Sequence, residues 1–303
     1  MSDPYLLHIF SPTKYVSPFD INMAYEANFD AVIPYCNIEL EEVPALTQDT
    51  IFSRRPEGVK RTGIFIGGRD LDTALDMMEA ARKAMVPPFE VSVFADPSGA
   101  ITTAAAMVAI AERCLQAEFQ CGLSGCRIFV FGGTGPVGTC VALLGALCQA
   151  EVSIVSHQGA AAAQLVAARC SQRYDLQFNG VDGSTVGAVT AIMARAQVIF
   201  NTAKARIQMV AADQLSAALH LRVAADANAV PPSGIAGIAA AERRAQLDTA
   251  GGVAIGVGAL AIGDIKYRVH TRLLAQMYQA PTPVFLAYRE AFAMARQIVA
   301  EQA

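Results

Sequence analysis

The 303-residue chain has no tryptophan, only four histidines, and no more than 17% charged residues. The missing tryptophan decides nothing. The sparse charge decides more: against 53% hydrophobic residues, it excludes a disordered chain and implies a large buried interior. The net charge is −4, with Lys and Arg scattered, so nucleic acid and an anionic membrane surface are poor partners. No basic segment precedes an apolar run at the start, where Asp3 and Pro4 stand, so no secretory signal is expected. The longest apolar glycine-rich stretch, Gly251 to Ile262, falls short of the roughly 20 residues that span a bilayer. Seven cysteines make an odd number, with no CxxC pattern. The nearest pair, Cys121 and Cys126, has poor metal spacing and no histidine close by. The expectation is buried free thiols in a reducing cytoplasm, and no metal. A nucleophile motif, an HExxH pattern and an evident His–Asp pairing are also missing.

What is present is one stretch of clear meaning. The apolar run Ile128 to Phe131 feeds into Gly133-Thr-Gly-Pro-Val-Gly138, and an apolar helical pattern follows. Strand, tight turn and helix form the context in which GxGxxG reads as dinucleotide binding. Gly133 is assigned the tight turn, Gly135 the close approach of a pyrophosphate, and Gly138 close packing of helix on strand. Pro136 suits the first helical turn, where no N–H is missed. The free N–H groups there, with Thr134 and Val137 beside them, form an anion site.

Along the chain, apolar runs alternate with helical patterns. Strands are expected at Tyr5 to Phe10, Ala31 to Pro34, Thr62 to Gly67 and Val91 to Ala95. Ser17, Pro18 and Asp20 form a capping box that opens a helix. A second helix runs from Leu40 to Ser53. A third is capped by Asp70 or Asp72, shows Leu75, Met78 and Arg82 on successive turns, and is ended by Pro87-Pro88. A long helix starts near Thr102. Gly122-Leu-Ser-Gly125 reads as a boundary, after which the alternation restarts. Its strands are 127–131, Val152 to Val155, Leu176 to Phe178, Val198 to Asn201 and Leu221 to Ala225. Alanine-rich Ala160 to Cys170 reads as a helix. Ile265, Val269, Leu273 and Met277 mark one closing helix, and Phe285, Tyr288, Phe292 and Val299 mark another. The fold class is therefore α/β: a Rossmann-type doubly wound domain, 123–263, and a second parallel α/β domain, 1–122 plus 264–303, with a cleft between them.

The coenzyme form is read from the end of the second Rossmann strand, where an acidic residue would hold the ribose of NAD and repel a 2′-phosphate. Here it reads Val155-Ser156-His157-Gln158. No carboxylate repels a phosphate, and Ser156, His157 and Gln158 offer donors. Arginine is missing too, so the expectation is NADP with tolerance of NAD.

Several segments add a resemblance. They include Ser17-Pro-Phe-Asp20, Leu46-Thr-Gln-Asp49, Arg61-Thr-Gly-Ile-Phe-Ile-Gly-Gly68 and Phe94-Ala-Asp-Pro97. Others are Phe131-Gly-Gly-Thr-Gly135, Asp226-Ala-Asn-Ala-Val-Pro-Pro232, and Gly258-Ala-Leu-Ala-Ile-Gly263 followed by Lys266. Together, along essentially the whole chain, they resemble the NAD(P)-dependent methylenetetrahydromethanopterin dehydrogenases of bacterial one-carbon metabolism. The resemblance implies oxidation of the methylene pterin to its methenyl form by direct hydride transfer to NAD(P)+. Losing the hydride leaves a cation spread over two nitrogens, and no proton has to move. Positioning, charge stabilisation and exclusion of water would then carry the reaction. It implies Lys266 and Asp20 as catalytic residues, and Phe19, Asp96, Thr102 and Thr103 at the pterin. Lys266 is also read as lying near a helix start, where the dipole disfavours a cation. Thr202, Ala203, Asp226 and Asn228 are expected beside the coenzyme. One departure stands out: the small-residue loop usual in the family reads Thr202-Ala-Lys-Ala-Arg206 here, so Lys204 and Arg206 meet a phosphate, a substrate tail or water. The resemblance further implies a cytoplasmic homo-oligomer, a trimer or a multiple of one. Two other readings are methylenetetrahydrofolate as substrate and a non-catalytic sensor of NAD(P).

Overall fold

A computed structural model describes residues 3–302; residues 1, 2 and 303, part of the expected pterin domain, lie outside the described residues. In chain order the elements are β1 (Leu6–Phe10), α1 (Pro18–Glu26), β2 (Ala31–Tyr35), α2 (Val43–Phe52), α3 (Pro56–Val59), β3 (Thr62–Ile66), α4 (Leu71–Ala84), β4 (Ser92–Ala95) and α5 (Ala100–Phe119). They continue with β5 (Arg127–Phe131), α6 (Pro136–Leu147), β6 (Glu151–Ser156), α7 (Ala160–Tyr174), β7 (Asn179–Asp182), α8 (Val186–Met193), β8 (Val198–Asn201), α9 (Ala212–Ser216) and β9 (Val223–Asp226). Last come β10 (Ala245–Thr249), β11 (Gly252–Val257), α10 (Ala259–Gln279), β12 (Phe285–Leu286) and α11 (Tyr288–Glu301). The chain forms two compact units, Met1–Thr102 with Tyr267–Met294, and Thr103–Lys266 with Ala295–Ala303. The division falls within α5, α10 and α11, whereas sequence puts the boundaries at the Gly122–Gly125 turn and after Gly263. Helices built from unbroken apolar periodicity give no compositional sign of where their partners change.

The first unit holds a five-stranded sheet, ordered β12-β4-β3-β1-β2 and parallel throughout. All of β3 and β4 is buried, which explains their continuous apolar runs. Helix α4 lays Leu71, Ala74, Met77 and Ala81 on its buried face, at the spacing of an amphipathic helix. That face is offset from the expected Leu75, Met78 and Arg82. Asp70 caps it by accepting from Thr73 N at 2.8 Å, and Arg82 and Lys83 favour its C-terminal end. Phe10, Ile51, Ile64, Ile66, Met77 and Val93 belong to the core. The expected final helix begins late. Phe285 pairs with Val93 in the edge strand β12, because Pro281 and Pro283 prevent the preceding segment from being helical.

The second unit holds seven strands in the order β10-β11-β9-β8-β5-β6-β7, with only β10 antiparallel to its neighbour. The third Rossmann strand, expected at Leu176 to Phe178, is instead β7 at Asn179–Asp182. There Gly180 lets the strand lie directly under the backbone of Ala163 and Gln164 in α7, which a larger residue would prevent. The glycine-rich stretch after Gly251 is the strand β11 of a hairpin, turned at Gly252 with φ +116°. Pro97–Phe119 is long and apolar enough to cross a bilayer, but 72% of that window is buried inside the protein, as in a core helix.

Candidate active site

In the second unit the strand order reverses between β5 and β8, and ligands of open α/β sheets sit at the carboxyl ends of strands at such a switch point. The glycine turn lies there. Its left-handed residue is Gly132, with φ +71°, not Gly133 as sequence assigns. A Cβ on Gly132 would stand 2.6 Å from Ala203 N in the loop after β8, so two loops meet at the switch point through bare backbone. Gly133 is buried for a different reason, since a Cβ there would meet Val130 O at 2.7 Å. Gly138 performs its expected role. A Cβ on it would lie 2.5 Å from Gly132 O and 2.6 Å from Gly133 Cα, so helix α6 seats directly on the turn. Gly135 is the N-cap of α6, followed by Pro136, and the nearest atom to a Cβ on it is 3.5 Å away. The first-turn N–H groups of α6 have no acceptor inside the helix, and Thr134, Gly135, Pro136 and Val137 are half-buried around them. A bare glycine N-cap, a helix end and no covering side chain at Gly135 fit a dinucleotide pyrophosphate.

The surrounding residues divide in their roles. Ser156 is buried and its Oγ accepts from Gln158 N at 3.1 Å, whereas His157 is exposed at the end of β6. Thr202 Oγ1 donates to Phe131 O at 2.9 Å, which locks the β8 loop to β5, and Ala203 N donates to Asn201 Oδ1 at 3.2 Å. Lys204 and Arg206 are exposed. Asp226 is the last residue of β9 and does not follow it. Its carboxylate is 1% exposed and accepts from Asn201 Nδ2 at 2.8 Å, Asn228 N at 3.0 Å and Ile235 N at 3.0 Å. Asn228 Nδ2 in turn donates to Pro232 O at 2.9 Å. These two residues build the 227–235 loop. That loop borders a cavity of about 410 Å³, lined by Asn228, Val230, Pro231, Ser233 and Ile238, within the size range of small-molecule pockets.

In the first unit, β3 sits on the far side of β1 from β2, so the switch point lies between β1 and β3. Asp20 is 4% exposed, and its Oδ2 lies 3.6 Å from the position of a Cβ on Gly67, just past β3. The capping box is not formed. Ser17 Oγ accepts from Phe19 N at 3.2 Å, while the Asp20 carboxylate turns inward toward Gly67. Phe19 keeps 39% of its surface exposed, an available ring on the first turn of α1.

Asp96 is fully buried at the end of β4. Its Oδ1 accepts from Ile101 N at 2.8 Å and Thr102 N at 3.1 Å, and its Oδ2 accepts from Thr102 Oγ1 at 2.6 Å. It therefore caps the start of α5, with Thr102 inside the first turn and Thr103 half-buried beside it. His270 Nδ1 lies 3.1 Å from Asp96 Oδ2, and His270 is wholly buried. Its ring packs against Phe19 at 5.6 Å, Phe65 at 5.7 Å and Phe94 at 5.3 Å between centroids. Here the sequence reading is corrected, for a His–Asp pair exists, 174 residues apart in the chain. The one available signal was that His270 follows Lys266 by a single helical turn. Lys266 is half-buried and lies in the eighth position of α10, not near its start. The helix-dipole argument for it therefore fails. Among the described residues, no group of three or more His, Cys, Asp or Glu is placed to hold a metal ion.

The sequence profile described as "Methylene-tetrahydromethanopterin dehydrogenase, N-terminal" matches residues 18–98, the segment that carries Phe19, Asp20 and Asp96. The NAD(P)-dependent methylenetetrahydromethanopterin dehydrogenase of Methylorubrum extorquens is 44% identical over 97% of this chain and 98% of its own. A second protein of that organism, named bifunctional protein MdtA, is 28% identical over the same shares of both chains. Among solved structures, shikimate 5-dehydrogenase from Listeria monocytogenes is 12% identical, with 99% of this chain and 97% of that one covered and a TM-score of 0.54. Quinate dehydrogenase from Corynebacterium glutamicum, also 12% identical, covers 98% and 99% with a TM-score of 0.55. At that identity they establish the fold alone, a two-domain arrangement of NAD-binding dehydrogenases. With 44% identity to a relative along nearly all of both chains, the chain belongs to the family of NAD(P)-dependent methylenetetrahydromethanopterin dehydrogenases.

Proposed function

We propose that this chain oxidises methylenetetrahydromethanopterin to methenyltetrahydromethanopterin by direct hydride transfer to NAD(P)+, in one-carbon (formaldehyde) oxidation. The observation that carries the reading is the near full-length identity to a dehydrogenase of that name. When bound, the nicotinamide supplies the hydride acceptor. The chain's own residues hold and orient. The Gly133–Gly138 turn and the N-terminus of α6 hold the pyrophosphate, and the Asp226–Asn228 network stiffens the loop beside it. Ser156 and His157, with no carboxylate near them in sequence, accept NADP as well as NAD. Phe19 offers its exposed ring to the pterin, and Asp20 supplies negative charge where the methenyl cation develops. Lys266 anchors the substrate. No group has to abstract a proton, so the buried Asp96–His270 pair shapes the floor of the pterin site and is not an acid–base couple. The same reading has the enzyme working without metal, as a cytoplasmic homo-oligomer.

The test mixes purified protein with methylenetetrahydromethanopterin or methylenetetrahydrofolate and NAD+ or NADP+, and follows reduced nicotinamide by absorbance. Turnover of the methanopterin with both nucleotides is expected. Nucleotide binding without turnover of either pterin would leave only the sensor reading. Lys266→Ala should abolish turnover while leaving nucleotide affinity near normal; unchanged kinetics remove Lys266 from the site.

A further inference from the structure

Cys121 and Cys126 flank one short turn between α5 and β5, in the same unit as the glycine turn. Their spacing suggests two unrelated buried thiols. The structure brings the side chain of Cys121 within hydrogen-bonding reach of the Cys126 thiol. The turn itself is tight, with Cys126 N donating to Leu123 O at 3.0 Å and the Cys126 thiol to Gly122 O at 3.3 Å. Arg222, whose guanidinium stands 5.9 Å over the Phe119 ring, aims Nη1 at Cys121 Sγ at 3.1 Å. Access differs between the two sulfurs. Cys121 is half-buried in a turn whose Gly122 and Gly125 are exposed, with no atom within 4 Å of a Cβ on either, while Cys126 is only 3% exposed.

We propose that Cys121 and Cys126 are a peroxide-sensitive dithiol, in which Cys121 attacks the oxidant and Cys126 resolves the product into an intramolecular disulfide. In the first step the Cys121 sulfur attacks one oxygen of hydrogen peroxide. The O–O bond breaks, leaving a sulfenic acid on Cys121 and releasing one water. In the second, the Cys126 sulfur attacks the sulfenic sulfur. The S–O bond breaks, and the departing hydroxide leaves as water with the Cys126 proton. Two thiols give up two electrons and two protons, and the peroxide is reduced to two waters. Of the two sulfurs Cys121 is the accessible one, and the hydrogen bond from Arg222 Nη1 fixes its position in the turn. Burial, with Cys121 alongside, pushes the Cys126 thiol up, which makes it the slower of the two to meet an oxidant and leaves it in place to close the bond. The product is a covalent ring between the end of α5 and the start of β5.

The test treats the full-length protein with hydrogen peroxide, alkylates the remaining thiols in denaturant, and digests with trypsin. Cleavage after Arg113 and Arg127 releases Cys114, Cys121 and Cys126 in one peptide. That peptide should lose two hydrogens while Cys114 is still alkylated, so that seven thiols less two remain free. In Cys126→Ser, dimedone should trap a sulfenic acid on Cys121. In Cys121→Ser the peptide should stay reduced. Arg222→Met should form the same bond several-fold more slowly. A peptide left reduced while other cysteines oxidise would overturn the proposal. So would a Cys121→Ser variant that loses thiols from this peptide as fast as the parent.

Discussion

The carboxylate of Asp96 is fully buried at the start of α5, and its removal has a calculable cost. It accepts three short hydrogen bonds, from Ile101 N, Thr102 N and Thr102 Oγ1, and a fourth donor position is His270 Nδ1 at 3.1 Å. Asp96→Ala removes every acceptor at once. A buried donor left without a partner costs about 1–3 kcal/mol. With three donors stranded and partial relaxation around a small cavity, the loss should reach about 3–5 kcal/mol. Asp96→Asn keeps one carbonyl for the two backbone N–H groups of α5 and presents an amide to Thr102 and His270. The Thr102 hydroxyl can rotate to accept, so this variant should lose only about 1–2 kcal/mol. At about 2–4 °C per kcal/mol, the alanine variant should melt about 10 °C below the parent and the asparagine variant a few degrees below. Calorimetric unfolding at neutral pH reads both. If Asp96→Ala melts within about 2 °C of the parent, the carboxylate does not organise the start of α5 and the reasoning fails.

Other consequences can be measured on the same material. Gly138→Ala drives a methyl group into the backbone of Gly132 and Gly133, so α6 must back away from the turn. Overpacking costs about 1–3 kcal/mol, and a titration of reduced nicotinamide fluorescence should show nucleotide affinity weakened roughly tenfold or more. Burial, aided by the Arg54 charge, holds the His8 imidazole below its usual 6.5. The folded state therefore resists a proton that the unfolded chain takes up. The stability His8 contributes is fully present above pH 6.5 and is lost as pH falls toward the folded value, so His8→Phe should flatten the stability profile below pH 6.5. Cys36 is exposed, contrary to the expectation of buried thiols throughout, whereas burial pushes the Cys114, Cys126 and Cys148 thiols up. A maleimide at neutral pH should label Cys36 first, with the buried thiols reacting only on unfolding, as peptide mapping would show.

Much of the fold could be read because its strands are buried on both faces. Continuous apolar runs such as Ile128 to Phe131 and Thr62 to Ile66 announce parallel strands without knowledge of their partners. The errors fall where backbone proximity, not hydrophobicity, places an element. Leu176 to Phe178 is apolar enough for a strand, yet pairing begins at Asn179, where Gly180 lets α7 approach. Phe285 has the periodicity of a helix face but enters a sheet, because prolines upstream leave an extended segment beside β4. The hairpin of β10 and β11 was invisible for a related reason. Gly251 and Gly252 carry no strand signal of their own, and the pairing of β10 with β11 supplies it.

The candidate site was legible in proportion to how local its interactions are. The glycine turn spans seven residues and carries its own context, so sequence locates the start of α6 with Pro136 in its first turn, while the left-handed residue is Gly132. The Asp226 network was half legible, since Asp226 and Asn228 are singled out by sequence, but sequence could not show that the carboxylate accepts from Asn201, Asn228 and Ile235. The Asp96–His270 pair was not legible at all, because a strand end and a helix 174 residues later meet only in the folded unit. That pair also bears on the chemistry. A buried histidine beside a carboxylate ordinarily suggests proton transfer. Here Asp96 already receives two backbone N–H groups and a hydroxyl, and the imidazole is enclosed by three phenylalanine rings. An acid–base group needs an open path for its proton, whereas an orienting group needs enclosure. The surroundings of His270 are those of an orienting group, edge-on to Phe19, whose ring is partly exposed. This is what an oxidation that moves a hydride and no proton requires of the protein.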